Sequence, residues 1–211
     1  MDEDELGVPD HGFRRILLAG TGALGVAFLP FWINWFRNAL PGVELRVLLT
    51  RSACRFVSPE AVSALSGREA FLDEWDGPRR AGLRTGPPAP HVELARWPDL
   101  VLVHPATQHF LGRYALGLAD TPLLLALHAT EALVGVAPAL PPAAERNPVV
   151  QEHLRTLRAR PGVVVAPTVP AASAATGEVA DGGAAPLTDL LALCADRRGR
   201  PARSGGEAGT A

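Results

Sequence analysis

Five runs along the chain are apolar without alternation: RILLAG (15–20), ELRVLLT (44–50), DLVLVHP (99–105), ALVGVAPA (132–139) and GVVVAP (162–167). Each is short for a helix and too continuously apolar for a strand with one wet face, so each predicts a strand buried on both sides. Helical patterns fall between them. SPEAVSALSG (58–67) carries Ser58 as N-cap, Pro59 at the first helical position and Gly67 as the stop. NPVVQEHLRTLRAR (147–160) starts on Asn147 and Pro148, with Val149, Val150, Leu154 and Leu157 at helical spacing. ALGVAFLPFWINWFRNAL (23–40) predicts a helix kinked or started late by Pro30. TPLLLALHAT (121–130) fits strand or helix by its apolar run alone, and Asp120 as N-cap with Pro122 in the first turn tilts it towards helix.

Buried strands separated by helices predict a doubly wound α/β domain with a parallel sheet of about six strands. Residues 1–12 and 196–211 are polar and rich in small side chains, which predicts disorder at both ends and one domain over 13–195. DGPRRAGLRTGPPAP (76–90) is the one long irregular loop inside that domain.

Composition narrows the function classes. A chain of 211 residues, 47% hydrophobic, can bury one substantial core. Its net charge of −2, with no basic helix or basic stripe interleaved with aromatics, gives no footprint for nucleic acid. Every cationic residue is arginine, which excludes Schiff-base and P-loop chemistry, since both need a primary ammonium. Cys54 and Cys194 fit no zinc or CxxC spacing. The start MDEDEL lacks the cationic region of a secretory signal. GALGVAFLPFWINWF (22–36) is broken by Pro30 and Asn34 and is short for a bilayer. The expectation is a cytoplasmic protein with no membrane partner.

In an open α/β sheet, ligands bind beyond the carboxyl ends of the strands. Thr21-Gly22-Ala23, Thr50 with Ser52, and Pro105-Ala106-Thr107 fall there. Small residues and hydroxyls at helix starts can cradle a phosphate on free backbone N–H groups. Gly20, Gly22 and Gly25 match a G-x-G-x-x-G spacing, but a nicotinamide site would also want an acid where Thr50 and Arg51 stand. HPATQHF (104–110) sets His104 and His109 five residues apart, with no i,i+4 pair and no acidic ligand pattern, so no metal is expected. His104 reads as a strand end, and His128 and His153 as helix-face residues. Trp32 and Trp35 share a helix with Phe28, Phe31 and Phe36, more aromatic surface than one sheet face covers. That predicts a subunit interface, with core packing as the alternative.

The order and spacing of RILLAGTGALG, VLLTRSACRFVSPEAVSALSG, HVELARWPDLVLVHPAT, GLADTP, GVAPAL and NPVVQEHLRTLRARPGVVVAPT over about residues 14–178 resemble the homo-oligomeric flavin-containing cysteine decarboxylases. That family includes phosphopantothenoylcysteine decarboxylases and the peptidyl-cysteine decarboxylases of lantibiotic and related ribosomal peptide pathways. The resemblance implies a Rossmann-like three-layer α/β/α fold and a flavin cofactor, FMN by default with FAD possible. It implies assembly as trimers or dodecamers with flavin sites between subunits. It makes His91 the acid/base residue. Thr21, Gly22, Ala23, Thr50, Ser52 and Phe56 fall on the phosphate and ribityl side of the flavin, Ala106, Thr107 and Gln108 beside its ring, and Ala119 and Asp120 of GLAD on the cofactor side as well. The implied reaction oxidises the cysteine to a thioaldehyde, releases CO₂ and leaves an enethiolate, with the flavin taking the hydride. A neutral imidazole can take the thiol or carboxyl proton.

The departures point to a specialist. Where the family has an asparagine after Pro-Ala-Ser/Thr-Ala, this chain has His109, and the family's Met-Asn pair falls on Leu140 and Pro141. Proline offers only a carbonyl, so Pro141 cannot replace an amide that both donates and accepts. The family's clamp cysteine falls on Thr176. A protonated His109 would hold a carboxylate by a charge-assisted bond, giving it a catalytic and substrate-binding role beside Leu140 and Pro141. The reading is oxidative decarboxylation of the C-terminal cysteine of a ribosomal precursor peptide, yielding an enethiol for an aminovinyl-cysteine ring. A phosphopantothenoylcysteine decarboxylase, a non-catalytic flavin-binding relative and a nicotinamide oxidoreductase are the alternatives.

Overall fold

The computed structural model describes residues 11–75, 90–172 and 177–199. Six parallel strands form one sheet in the order β3-β2-β1-β4-β5-β6. They are β1 (Arg15–Gly20), β2 (Glu44–Leu49), β3 (Phe71–Leu72), β4 (Leu100–Thr107), β5 (Leu133–Ala139) and β6 (Val163–Val165). The five expected strands are all present. The sixth, β3, pairs only Phe71 and Leu72 with Leu48 and Leu49, too short a run to leave a hydrophobic pattern.

Two apolar layers sandwich the sheet. Helices α1 (Leu29–Ala39), α2 (Pro59–Ser66) and α7 (Leu187–Gly199) bury Ile33, Phe36, Val62, Leu190 and Cys194 against one face. Helices α3 (Pro90–Arg96), α4 (Gln108–Ala115), α5 (Pro122–Ala129) and α6 (Pro148–Arg158) bury Leu94, Leu111, Leu124 and Leu157 against the other. The fold is therefore the three-layer, Rossmann-like α/β/α sandwich, and the continuous strand pattern is a consequence of both faces being covered.

Local signals act as expected at most helix starts. Ser58 accepts from Ala61 N, Asn147 accepts from Val149 N, and Gly67 ends α2 at φ 70°. Pro30 delays α1: Leu24–Phe28 is a tight 3₁₀ turn, and the α-helix begins at Leu29. At α5 the cap is Thr121, not Asp120; its hydroxyl accepts from Leu124 N, while Asp120 turns outward to Arg113. Helix α7 runs to Gly199, so residues 196–199, expected in a disordered tail, are helical and place Arg198 over the Phe13 ring. At the other end His11 and Gly12 are ordered, with Phe13 N donating to His11 Nδ1. Of the expected loop 76–90, Pro90 opens α3 and the rest lies outside the described residues, as does Thr176.

A second element was not legible in the sequence. Strands β7 (Val169–Ala172) and β8 (Val179–Gly183) form an antiparallel hairpin beside the end of β5. Leu140 N donates to Gly182 O at 2.8 Å, and a Cβ on Gly182, whose φ is +113°, would fall 2.7 Å from Leu140 O. Only glycine fits that approach.

Candidate active site

A polar cleft of about 560 Å³ opens at the carboxyl ends of the strands. The turn after β1 supplies Thr21, Gly22 and Ala23, the turn after β2 supplies Thr50 and Ser52, and the start of α4 supplies Thr107, Gln108 and His109. The end of β5 closes it with Ala139, Leu140 and Pro141. Ten residues singled out in the sequence are thus brought together.

The hydroxyls in this cleft mostly hold backbone. Thr21 Oγ1 donates to Pro105 O at 2.7 Å and accepts from Thr107 N at 2.9 Å, clasping β1 to β4. Thr50 accepts from Ala53 N, and Thr107 accepts from Phe110 N, each capping the turn that follows. The backbone N–H groups of Gly22 and Ser52 have no partner among the described residues. Gly22 is the tightest point: a Cβ there would fall 2.4 Å from Ser52 Cβ. Two turns pressed together with free N–H groups form a cradle that suits a phosphate, and any side chain at Gly22 would close it.

Arg51, Asp73, Arg113 and Thr121 also line the cleft, and none of the four was expected there as a site residue. Arg51 is largely exposed and pairs with Glu74 at 2.8 Å. Asp73 is 8% exposed at the end of β3; it accepts from Leu123 N at 2.8 Å and bonds the Thr121 hydroxyl. Burial raises its pKa against those bonds. Arg113 stands four residues beyond His109, a spacing that puts the two on one face of α4. It pairs with Asp120, and that guanidinium bond lowers the Asp120 pKa.

Several expected residues stand elsewhere. Ala106 is fully buried in β4 and does not line the cleft. Phe56 is 42% exposed and does not line the cleft. Ala119 and Asp120 lie on the exposed turn before α5, and Thr121 is the residue of that turn that reaches the cleft. His91 sits in the first turn of α3, outside the cleft, with its ring 5.7 Å from Trp75. Trp75 in turn donates from Nε1 to Asp120 O at 2.8 Å. His91 Nδ1 is buried and has no partner among the described residues. His104 and His109 are not a pair: His109 faces the polar cleft, while His104 is 7% exposed and bonds Ala185 O through Nε2 at 2.9 Å. Among the described residues no three His, Cys, Asp or Glu side chains cluster as metal ligands.

A second, apolar cavity of about 720 Å³ adjoins the first at Ala139 and Leu140. Its walls are Phe28, Phe31 and Trp32 of the α1 region and Val169, Ala171 and Ala180 of the hairpin. Phe28 and Phe31 are 65% and 61% exposed, so part of the aromatic surface on α1 is uncovered, while Phe36 is buried in the core. No helix among the described residues is long and apolar enough to cross a membrane.

The sheet order and the glycine-tight cradle define a mononucleotide-binding α/β protein, with the ligand seated where neighbouring strand ends diverge. Comparison with known proteins narrows this: the Flavoprotein family profile matches residues 7–199, and the chain belongs to that family. It is 32% identical over 163 residues to cypemycin cysteine dehydrogenase (decarboxylating) of a Streptomyces species, covering 77% of this chain and 81% of the relative. It is 34% identical over 181 residues to the coenzyme A biosynthesis bifunctional protein CoaBC of Vibrio vulnificus (strain YJ016), covering 86% of this chain but 43% of that protein. The chain therefore spans less than half the length of such bifunctional relatives. Among solved structures, the cypemycin decarboxylase CypD superposes with TM-score 0.67 at 29% identity, over 87% of this chain and 93% of that one. The FMN-dependent cysteine decarboxylase SpaF gives TM-score 0.67 at 26% identity, over 88% and 97%. A PPC decarboxylase mutant complexed with pantothenoylaminoethenethiol gives 0.70 at 26%, over 85% and 94%.

Proposed function

We propose that this protein is an FMN-dependent decarboxylase acting on the C-terminal cysteine of a ribosomally made precursor peptide, giving an enethiol for aminovinyl-cysteine formation. The observation that carries the reading is the cleft itself: a phosphate cradle at Gly22 and Ser52 faces a wall at Leu140 and Pro141 that offers no side-chain donor. The similarity to the cypemycin enzyme supports a peptide substrate. Leu140 and Pro141, where the resembled family has a Met-Asn pair, depart from the pattern of the phosphopantothenoylcysteine members and favour a specialist.

FMN, with its phosphate held on the cradle, would supply a two-electron acceptor for the cysteine Cβ–S unit. The chain's own residues do the rest. Gly22 and Ser52 N–H groups bind the phosphate, and the Thr21 clasp fixes their spacing. His109, Leu140 and Pro141 line the substrate side. His91 takes the substrate proton, presenting it with the nitrogen opposite its buried Nδ1. Because His91 stands outside the cleft of its own protomer, the reading includes assembly as a trimer or dodecamer in which α3 of a neighbouring copy meets the cleft. The exposed Phe28 and Phe31 supply apolar surface for such contacts. A cytoplasmic location is part of the same reading.

The test is the visible spectrum of purified protein, followed by mass analysis of a cysteine-ended peptide after incubation. A flavin spectrum with loss of CO₂ and two hydrogens is expected. A yellow protein that leaves every such peptide intact, or that acts only on phosphopantothenoylcysteine, overturns the reading.

A further inference from the structure

The cleft contains one cation held close to His109. Arg113 side-chain exposure is 20%, against 83% for Arg51, which is committed to Glu74 at the rim. Arg113 Nη1 lies 3.4 Å from His109 Nε2. A guanidinium has donors and no acceptor, so in this contact Arg113 can act only as the donor. The contact is long and displaceable. Asp120 takes the guanidinium through Nη2 and fixes the fork from behind, leaving Nη1 towards His109 and the cleft. The opposite wall, Leu140 and Pro141, supplies no side-chain donor, and Gln108 is neutral.

We propose that Arg113 is the specificity-determining residue that reads the free carboxylate of the substrate's terminal cysteine, with His109 beside it. The charge-assisted bond expected of a protonated His109 is supplied by the guanidinium instead, which is always charged and keeps Nη1 on the cleft side while Asp120 holds Nη2. This inference rests on the decarboxylase reading for the identity of the anion. The other oxyanion that the same chemistry would take is the flavin phosphate.

The experiment separates the two. Flavin-loaded protein is titrated with a short acetylated peptide ending in serine, once as the free acid and once as the amide; serine lacks the thiol and does not react. The wild type binds the acid at least about tenfold more tightly than the amide. Arg113→Gln brings acid and amide within about threefold of each other, and its FMN dissociation constant stays within about threefold of the wild type. Arg113→Lys retains the charge and the pair with Asp120 but not the planar fork, and keeps part of the preference. If Arg113→Gln does not fold, an Arg113→Lys protein with undiminished preference overturns the proposal. So does a wild type that ignores the carboxylate, a glutamine variant that still prefers the acid, or one that loses about tenfold in FMN affinity while keeping the acid preference. Failure of the decarboxylase reading looks different: the acid preference depends on Arg113, yet no cysteine-ended peptide loses CO₂.

Discussion

The two cavities at the carboxyl edge of the sheet share only Ala139 and Leu140, and they are built in opposite ways. The polar cleft is made of strand ends. Its shape follows from the parallel register of β1 with β2 and β4, and the hydroxyls of Thr21, Thr50 and Thr107 lock the turns that carry it. The apolar cavity is made of side chains on α1 and of a hairpin that lies outside the main sheet. That hairpin is tied down by a few contacts, among them Leu140 N to Gly182 O and His104 Nε2 to Ala185 O. The difference teaches that cofactor geometry here is a property of the sheet, whereas the adjoining apolar surface depends on one docked element and can change without disturbing the sheet.

The comparison is tested most severely at Gly22. Gly22→Ala places a methyl 2.4 Å from Ser52 Cβ and 3.2 Å from the Ser52 carbonyl carbon, so one of the two turns must move. Overpacking of this kind costs about 1–3 kcal/mol, and here it falls on the N–H groups that form the cradle. The expected result is a folded protein whose flavin affinity drops roughly tenfold to a hundredfold, read from the flavin absorbance retained after gel filtration. The apolar cavity keeps its shape.

Gly182→Ala makes the reciprocal break. Its φ of +113° is closed to alanine, and the new methyl would meet Leu140 O at 2.7 Å. The hairpin loses its dock at a cost of about 2–3 kcal/mol, seen as faster limited proteolysis of β7 and β8. Flavin absorbance per protein is unchanged. A variant that loses its flavin would show that the two cavities are one cooperative unit.

How much of this was readable beforehand follows from the same division. The polar cleft was legible because turn residues sit next to strand ends in the chain, so Thr21, Gly22, Ser52 and Thr107 announce themselves by position. Asp73 and Arg113 were not, because Asp73 follows a two-residue strand and Arg113 reaches the cleft only through the pitch of α4. Thr121 rather than Asp120 caps α5 because the helix begins at Pro122 itself, one place earlier in the first turn than an Asp120 cap implies, and Asp120 pairs with Arg113. The hairpin left no pattern: Val169–Ala172 contains Pro170 and two alanines, and Val179–Gly183 ends in two glycines. Its position is set by a backbone bond to Leu140, which no side-chain periodicity encodes. Ala106 and Phe56, also chosen as motif neighbours, do not line the cleft: Ala106 is buried in β4 and Phe56 is exposed.

A smaller effect is expected at His104. His104→Leu keeps the apolar packing against Trp32 but leaves Ala185 O without its imidazole partner, at about 1–3 kcal/mol. The variant also changes the pH dependence. Burial lowers the His104 pKa from 6.5, so the unfolded chain takes up a proton that the folded chain refuses. Stability is therefore complete above about pH 6.5 and falls as pH drops towards the lower folded value. His128, also lowered by burial, gives a slope of the same sign. The expected outcome is a thermal midpoint that falls less steeply below pH 6.5 in His104→Leu than in the wild type, with the remaining slope due to His128 and other groups.

The smallest effect belongs to the loop between the two cavities. After Pro141 and Pro142, Ala143 holds φ 66°, the left-handed region in which an alanine Cβ crowds the following carbonyl. The 3₁₀ turn Ala144–Arg146 starts from that residue, and Arg146 N donates back to Ala143 O, so the conformation is imposed by the turn. Ala143→Gly removes about 1–2 kcal/mol of strain and adds about 0.5–1 kcal/mol of unfolded-state entropy. The balance is a stabilisation of about 0.5 kcal/mol, or a rise of roughly 1–2 °C in the thermal midpoint. Ala143 lines neither cavity, so flavin affinity and the acid preference of the peptide should both be unchanged. A loss of either would mean that the strained turn, rather than the sheet, sets the position of Leu140 and Pro141.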